Sequence, residues 1–229
     1  MANPNLELLT QMAQAMGPVR EQVVFVGGCA TGLLLTQPEV AEVRATEDVD
    51  AIVEVFTLAG YHKLARALMA LGFTQTMDAN TPPFRWFWRQ MQLDLVPMEE
   101  KVMGFANRWY KPAFAACVVT ELLPGLPLRH LSAPYFMATK LEAFKDRGKN
   151  DVYMSHDLED VITVVDGRPE LLSELVAAPD DLRVFVAGTL ATVLRHADFS
   201  NALPGIVSQA PRAGLVLQRL QAMASFANG

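Results

Sequence analysis

Thr46 to Val55, TEDVDAIVEV, is the stretch whose residue types could most readily do chemistry. It has the β-branched texture of a buried strand, yet Asp48 and Asp50 stand two positions apart in it. Strand side chains alternate between faces, so both carboxylates point the same way. Two neighbouring anions stay ionised together when a cation, usually a metal, lies between them or when water screens them. One face then reads Asp48, Asp50, Ile52, Glu54, and the other Val49, Ala51, Val53, Val55, an apolar face that must pack on helices. A solvated strand end would also account for the pair taken alone.

Three further features favour a binding site. Gly27-Gly28 falls between a short apolar strand, Val23 to Val26, and the helix expected of CATGLLL, where backbone N–H groups and the helix dipole suit a phosphate. A plain tight turn is the simpler reading of that glycine pair. Arg44 and Thr46 precede the carboxylates and offer a cation and a hydroxyl to the same cleft. In MQLDLVP, Asp94 sits between Leu93 and Leu95, and a lone acid in an apolar strand is costly to bury without a partner. If that strand neighbours the first, Asp94 becomes the third carboxylate of a metal site. Such a cluster is what Mg²⁺ or Mn²⁺ needs to grip a nucleoside triphosphate and activate an attacking hydroxyl.

A second group lies in APYFMATKLEAFKDRGKNDVYMSHDLEDVITVV. On a helical wheel Lys140 falls among Phe136, Met137, Leu141 and Phe144, while Glu142, Lys145 and Asp146 lie outside that stripe. A lysine centred on a packing face needs an anion to meet it, unless its stem packs and its ammonium escapes to water. Asp157 borders the apolar stripe of the next helix and Asp160 lies further round. Asp157 also suits a first-turn carboxylate that complements the helix dipole. Lys145, Arg147 and Lys149 make the intervening KDRGKND basic, either for a polyphosphate or simply as a solvated turn. In FRWFWRQ, a regular strand would put Trp86, Trp88 and Asp94 on one face, where an aromatic could stack an acceptor base; ordinary sheet packing is the plainer alternative.

The elements that must position these residues follow from periodicity. Helix is expected over 5–16, then strand Val23–Val26, helix from Cys29, a polar connection over 36–45, strand Val49–Val55 and a helix ending at Gly72. Strand candidates follow at Phe73–Met77, Phe84–Val96 and Phe114–Leu122, with a turn at Pro124-Gly125. From Ser132 onward helical periodicity dominates: 133–147, 156–166, 169–177, 180–196 and 211–226. The expected fold is therefore α+β: a mixed sheet with flanking helices over residues 1–130, followed by a C-terminal helical domain over 131–229.

Composition narrows the class. The 229 residues are 51% hydrophobic and 19% charged, with net charge −6, as in an ordinary folded domain without a broad basic surface for duplex nucleic acid. Two cysteines, Cys29 and Cys117, read as reduced, buried thiols, and with four scattered histidines they form no zinc spacing. Neither a signal peptide nor an 18-residue apolar run is present, so a cytoplasmic protein with no membrane partner is expected.

A double glycine opening a helix, then RxTxDxD on a strand, then a third strand acid, resembles the DNA polymerase β-type nucleotidyltransferase superfamily. Asp48 lies 20 residues after Gly28, a longer gap than usual there, which makes 36–45 an insertion. KLEAFKDRGKND…HDLEDV is similar to the C-terminal motif of AbiEii/AbiGii-type toxin nucleotidyltransferases, including the mycobacterial MenT enzymes. The resemblance spans about residues 23–166. It implies a metal- and NTP-dependent transferase in which Asp48 and Asp50 bind the metal with Asp94 completing the site, Gly27, Gly28, Arg44 and Thr46 serve the nucleotide, Lys140 contacts its phosphates and Asp157 is the later acid. It also implies an RNA or tRNA 3′-end or protein acceptor and, in a toxin–antitoxin pair, a cognate antitoxin. A catalytically silent nucleotide- or protein-binding module and a metal-dependent phosphoesterase are the rival readings.

Overall fold

A computed structural model describes residues 3–55, 57–76, 78, 81–103, 107–148 and 151–228. The chain divides into two compact units: an α/β unit of residues 2–33 and 45–132, and a helical unit of residues 34–44 and 133–229. The mixed sheet with flanking helices and the C-terminal helical region expected of an α+β chain are both present.

In the α/β unit, helix α1 (Pro4–Ala15) begins at Asn3, whose side chain accepts a hydrogen bond from the Asn5 N–H, and stops before Gly17 at φ 50°. Strands β1 (Val23–Val26) and β2 (Asp48–Val53) pair antiparallel. Helix α2 (Leu58–Ala70), capped by Thr57, gives way at Gly72 (φ 88°) to a hairpin of β3 (Arg85–Trp88) and β4 (Met91–Pro97). Short helices α3 (Glu100–Met103) and α4 (Tyr110–Ala115) lead to a second hairpin, β5 (Val118–Leu123) and β6 (Leu126–His130). The strand order is β3-β4-β2-β1-β6-β5, with β2–β4 and β1–β6 parallel. Val23 and Phe25, Val49 and Ala51, and Leu93 and Leu95 bury one face of the sheet in a core shared with Leu9, Met12 and Met16 of α1 and Leu64 and Leu68 of α2. Burying each such side chain is worth about 1.5–3 kcal/mol, so this face sets which way every strand residue points.

Several expectations are corrected here. Phe84–Val96 is not one strand but a hairpin turning at Arg89, which takes φ 54°. Strand Phe73–Met77 reduces to one bridge, Thr74 to Phe87, and its Met77 end lies outside the described residues. Phe114 ends a helix rather than beginning a strand, and β6 was not anticipated. CATGLLL forms a seven-residue 3-10 segment, Gly28–Leu34, instead of an α-helix. Cys117 is half-buried rather than buried, and neither cysteine is in a disulfide.

The helical unit contains α5 (Ala133–Asp146), α6 (His156–Gly167), α7 (Leu171–Val176), α8 (Asp180–Leu194), α9 (Phe199–Ile206) and α10 (Ala213–Ala224). Ser155 caps α6 by accepting from the Leu158 N–H, and the last carbonyls of α6 are met by Arg219, which donates to Val165 O at 2.8 Å and Asp166 O at 2.7 Å. Residues 34–44, expected as a polar insertion, belong to this unit: the Thr36 and Gln37 N–H groups both donate to Gly167 O, and Leu34, Ala41 and Val43 are buried. Among the described residues no helix is long and apolar enough to cross a membrane.

Candidate functional site

Strand β2 alternates as half-buried Asp48, buried Val49, half-buried Asp50, buried Ala51. With Val49 and Ala51 committed to the core, both aspartates face away from it. Strand β4 runs parallel beside β2 in the register that sets Asp94 against Asp50. Leu93 and Leu95 occupy the core side, so Asp94 must share the carboxylate face. One carboxylate oxygen from each of Asp48, Asp50 and Asp94 lies within 4.8 Å of the others, a group that could hold a metal ion. Asp94 is the deepest of the three, 6% exposed. An all-carboxylate donor set, with neither sulfur nor imidazole, suits hard cations such as Mg²⁺ and Mn²⁺.

The loops around this cluster have defined jobs. Gly27 leaves β1 at φ 71°, next to Val26, which pairs with Asp50. A Cβ at Gly27 would run into the Asp50 carboxylate, so the bare Cα makes room for that acid. Gly28 opens the 3-10 segment, and the α-helix dipole expected there for a phosphate is missing. Thr46 braces the start of β2: its hydroxyl donates to Asp48 O at 3.3 Å and its N–H to Asn5 Oδ1 at 3.0 Å. Asn5, 1% exposed, also donates to Gly28 O at 3.4 Å, and so ties both flanking loops to the start of α1. Sequence reasoning passed over Asn5; its one signal is a polar residue on the buried side of an amphipathic helix.

Arg85 is the larger omission. Its Nε and Nη2 each donate to Asp94 at 2.7 Å, and Nη2 reaches Asp48 Oδ2 at 3.5 Å. The Asp94 hydrogen bonds hold the Arg85 guanidinium above its already high range, with Asp48 and Asp50 adding to the effect. The hairpin explains why it was missed. Once the chain turns at Arg89, Arg85 lies opposite Asp94 and Trp86 opposite Leu93. Trp86 is therefore on the core face, fully buried, its indole N–H donating to the Tyr61 hydroxyl at 3.2 Å. The expectation that Trp86 and Trp88 share a face with Asp94 is overturned, and the packing reading holds for Trp86. Trp88 makes a tilted contact with Phe73, 6.5 Å between ring centroids.

Within the helical unit, Lys140 is only 7% exposed, so its ammonium does not escape to water. It meets anions instead: Asp157 Oδ1 at 3.1 Å and Asp160 Oδ2 at 2.6 Å. Arg147 grips Asp157 with two hydrogen bonds of 2.9 Å. Burial pushes the Asp157 carboxyl up, but the Arg147 hydrogen bonds and the charges of Lys140 and Arg147 outweigh it, and the group lies below its ordinary range. Arg44, expected beside Asp48, ion-pairs with Glu159 at 3.6 Å and Asp160 at 3.8 Å on α6. Lys149 of the basic turn lies outside the described residues. The structure thus brings together Asp48, Asp50, Asp94 and Gly27 in one unit and Lys140, Asp157 and Arg44 in the other.

The chain matches no protein-family model and no curated protein. The likeness to nucleotidyltransferases rests on the motifs themselves.

Proposed function

We propose that the protein is a metal-dependent nucleotidyltransferase that moves a nucleotide from an NTP onto an acceptor hydroxyl. The observation that carries this reading is the convergence of Asp48, Asp50 and Asp94 to within 4.8 Å on one sheet face. A divalent cation on Asp48 and Asp50 would supply Lewis-acid neutralisation of the phosphates. The chain's own contribution is positioning. Gly27 leaves space for Asp50, Thr46 and Asn5 hold the run into β2, and Arg85 aligns Asp94 while reaching Asp48. Asp94, bonded to the Arg85 guanidinium through both oxygens, orients Arg85 as well as offering the third carboxylate. The motif resemblance also implies a phosphate-contacting role for Lys140, whose ammonium is held within the helical unit by Asp157 and Asp160. The motif resemblance extends the proposal to an RNA or tRNA 3′ end or a protein as acceptor, a cognate antitoxin, and action in the cytoplasm.

The test is incubation with each labelled NTP, Mg²⁺ or Mn²⁺ and total cellular RNA. Asp48→Ala is expected to lose transfer while keeping its circular dichroism spectrum; labelling at the parental rate by that variant rejects the reading. One observation favours a silent binding module: Arg85 already supplies positive charge to two of the three acids. That alternative predicts NTP binding by calorimetry without turnover, and metal-dependent product release eliminates it.

A further inference from the structure

We propose that the helical unit carries a separate cavity for a small molecule with an apolar, ring-bearing body and a single anionic group. The cavity measures about 370 Å³ and is lined by α5, α8, Val152 and His196. That volume falls within the usual range of small-molecule pockets, about 300–1,000 Å³. Phe144, Val152, Phe185 and Val193 give it apolar and aromatic walls.

Gly188 lies inside α8, where a glycine costs the helix about 1 kcal/mol relative to alanine. Nothing in the chain's own packing requires it, because an added Cβ would meet no atom within 4 Å. Its missing side chain leaves the cavity open.

The polar groups of the lining point to an anion. The Thr189 and Thr192 hydroxyls spend their protons on Phe185 O at 2.9 Å and Gly188 O at 3.0 Å. Lys145 and His196 remain as donors in the lining. The Lys145 ammonium stands 5.4 Å from the Phe185 ring centroid, and among the described residues no carboxylate ion-pairs with it. His196 Nδ1 accepts the Asp198 N–H at 3.3 Å, with the Asp198 carboxylate 3.9 Å from the same nitrogen. Those contacts engage Nδ1, so Nε2 is the ring nitrogen that can donate to a ligand. A cationic ligand is disfavoured because Lys145 already occupies the face of Phe185. Lys145 and His196 are exposed, and Phe144 and Val193 are buried, so charge belongs at the mouth and the apolar body inside.

Calorimetry with naphthoate and with its neutral counterpart naphthylmethanol tests this on the full chain. Naphthoate is expected to bind saturably and more tightly than the alcohol. Gly188→Leu, which fills the cavity from a helix position that tolerates leucine, should weaken both ligands by about tenfold or more. Thr192→Phe, on the exposed side of the same helix, is the second filling variant should the first fail to fold. Lys145→Gln should weaken naphthoate about threefold to tenfold and leave the alcohol unchanged. Equal affinity of the two ligands for the parent protein, unaltered binding in the folded filling variant, or no saturable naphthoate binding would each overturn the proposal.

Discussion

Two clusters of acids occupy the two units, and they are solved in opposite ways. On the sheet, register forces like charges together: Asp50 lies beside Asp94 across neighbouring strands, and Asp48 shares their face. On the helices, the acids are interleaved with bases: Lys140 touches both Asp157 and Asp160, Arg147 grips Asp157, and Arg44 reaches Asp160 and Glu159. Like charges set opposite one another cost a sheet stability, whereas pairing is the condition for burying a charge at all. The first cluster could hold a cation, and the second holds a lysine.

Substitutions should separate the two kinds of cluster. The largest effect is expected of Asp50→Asn, which should lower metal-dependent transfer about a thousandfold. The same change should raise the stability of the metal-free protein by about 1 kcal/mol, since it relieves repulsion against Asp94. Paired activity and urea-unfolding measurements check both signs, and a destabilised Asp50→Asn would break the comparison. Next comes Lys140→Ala, which removes the buried cation between Asp157 and Asp160, leaves Asp160 only the longer Arg44 pair, and should cost about 3–5 kcal/mol in urea unfolding. A cost below 1 kcal/mol would mean that the helical network does not depend on its lysine.

Arg85→Gln probes the base that enters the sheet cluster. Removing a guanidinium that competes for Asp94 and Asp48 should tighten Mn²⁺ binding about tenfold, read by calorimetry or by electron paramagnetic resonance. Weaker Mn²⁺ binding would show instead that Arg85 holds the acids in place.

The smallest effect is in pH. Asp157 has a folded pKa below its unfolded one of about 3.9, so its share of stability is fully present above about pH 5 and is lost as pH falls through the folded value. Urea unfolding between about pH 5 and pH 2 should show that slope, and Asp157→Asn should flatten it. An unchanged slope would remove Asp157 from the network's energetics.

Legibility differed between the same two regions. The strand character of Val49–Val53 and the shared face of Asp48 and Asp50 follow from alternation alone, because a period of two admits one solution once the apolar face is known. Lys140 was readable as a lysine in need of an anion because its neighbours at helical spacing are Phe136 and Phe144. Arg85 and Asn5 were not, because each acts across a distance in the chain: Arg85 on Asp48, and Asn5 on Thr46. The turn at Arg89 has no glycine to announce it, and α9 was hidden by Pro204-Gly205 within it.

By itself the sequence determined which residues are apolar and at what period, and hence the long amphipathic helices, strands β1 and β2, and the side of β2 on which the two aspartates stand. Tertiary structure alone decided which strand lies beside β2, that Asp94 meets Asp50, and that Arg85 closes on both Asp94 and Asp48. The reason is physical: periodicity is local and survives in any register, while strand order and hairpin turns are chosen by packing of the whole sheet face against α1 and α2.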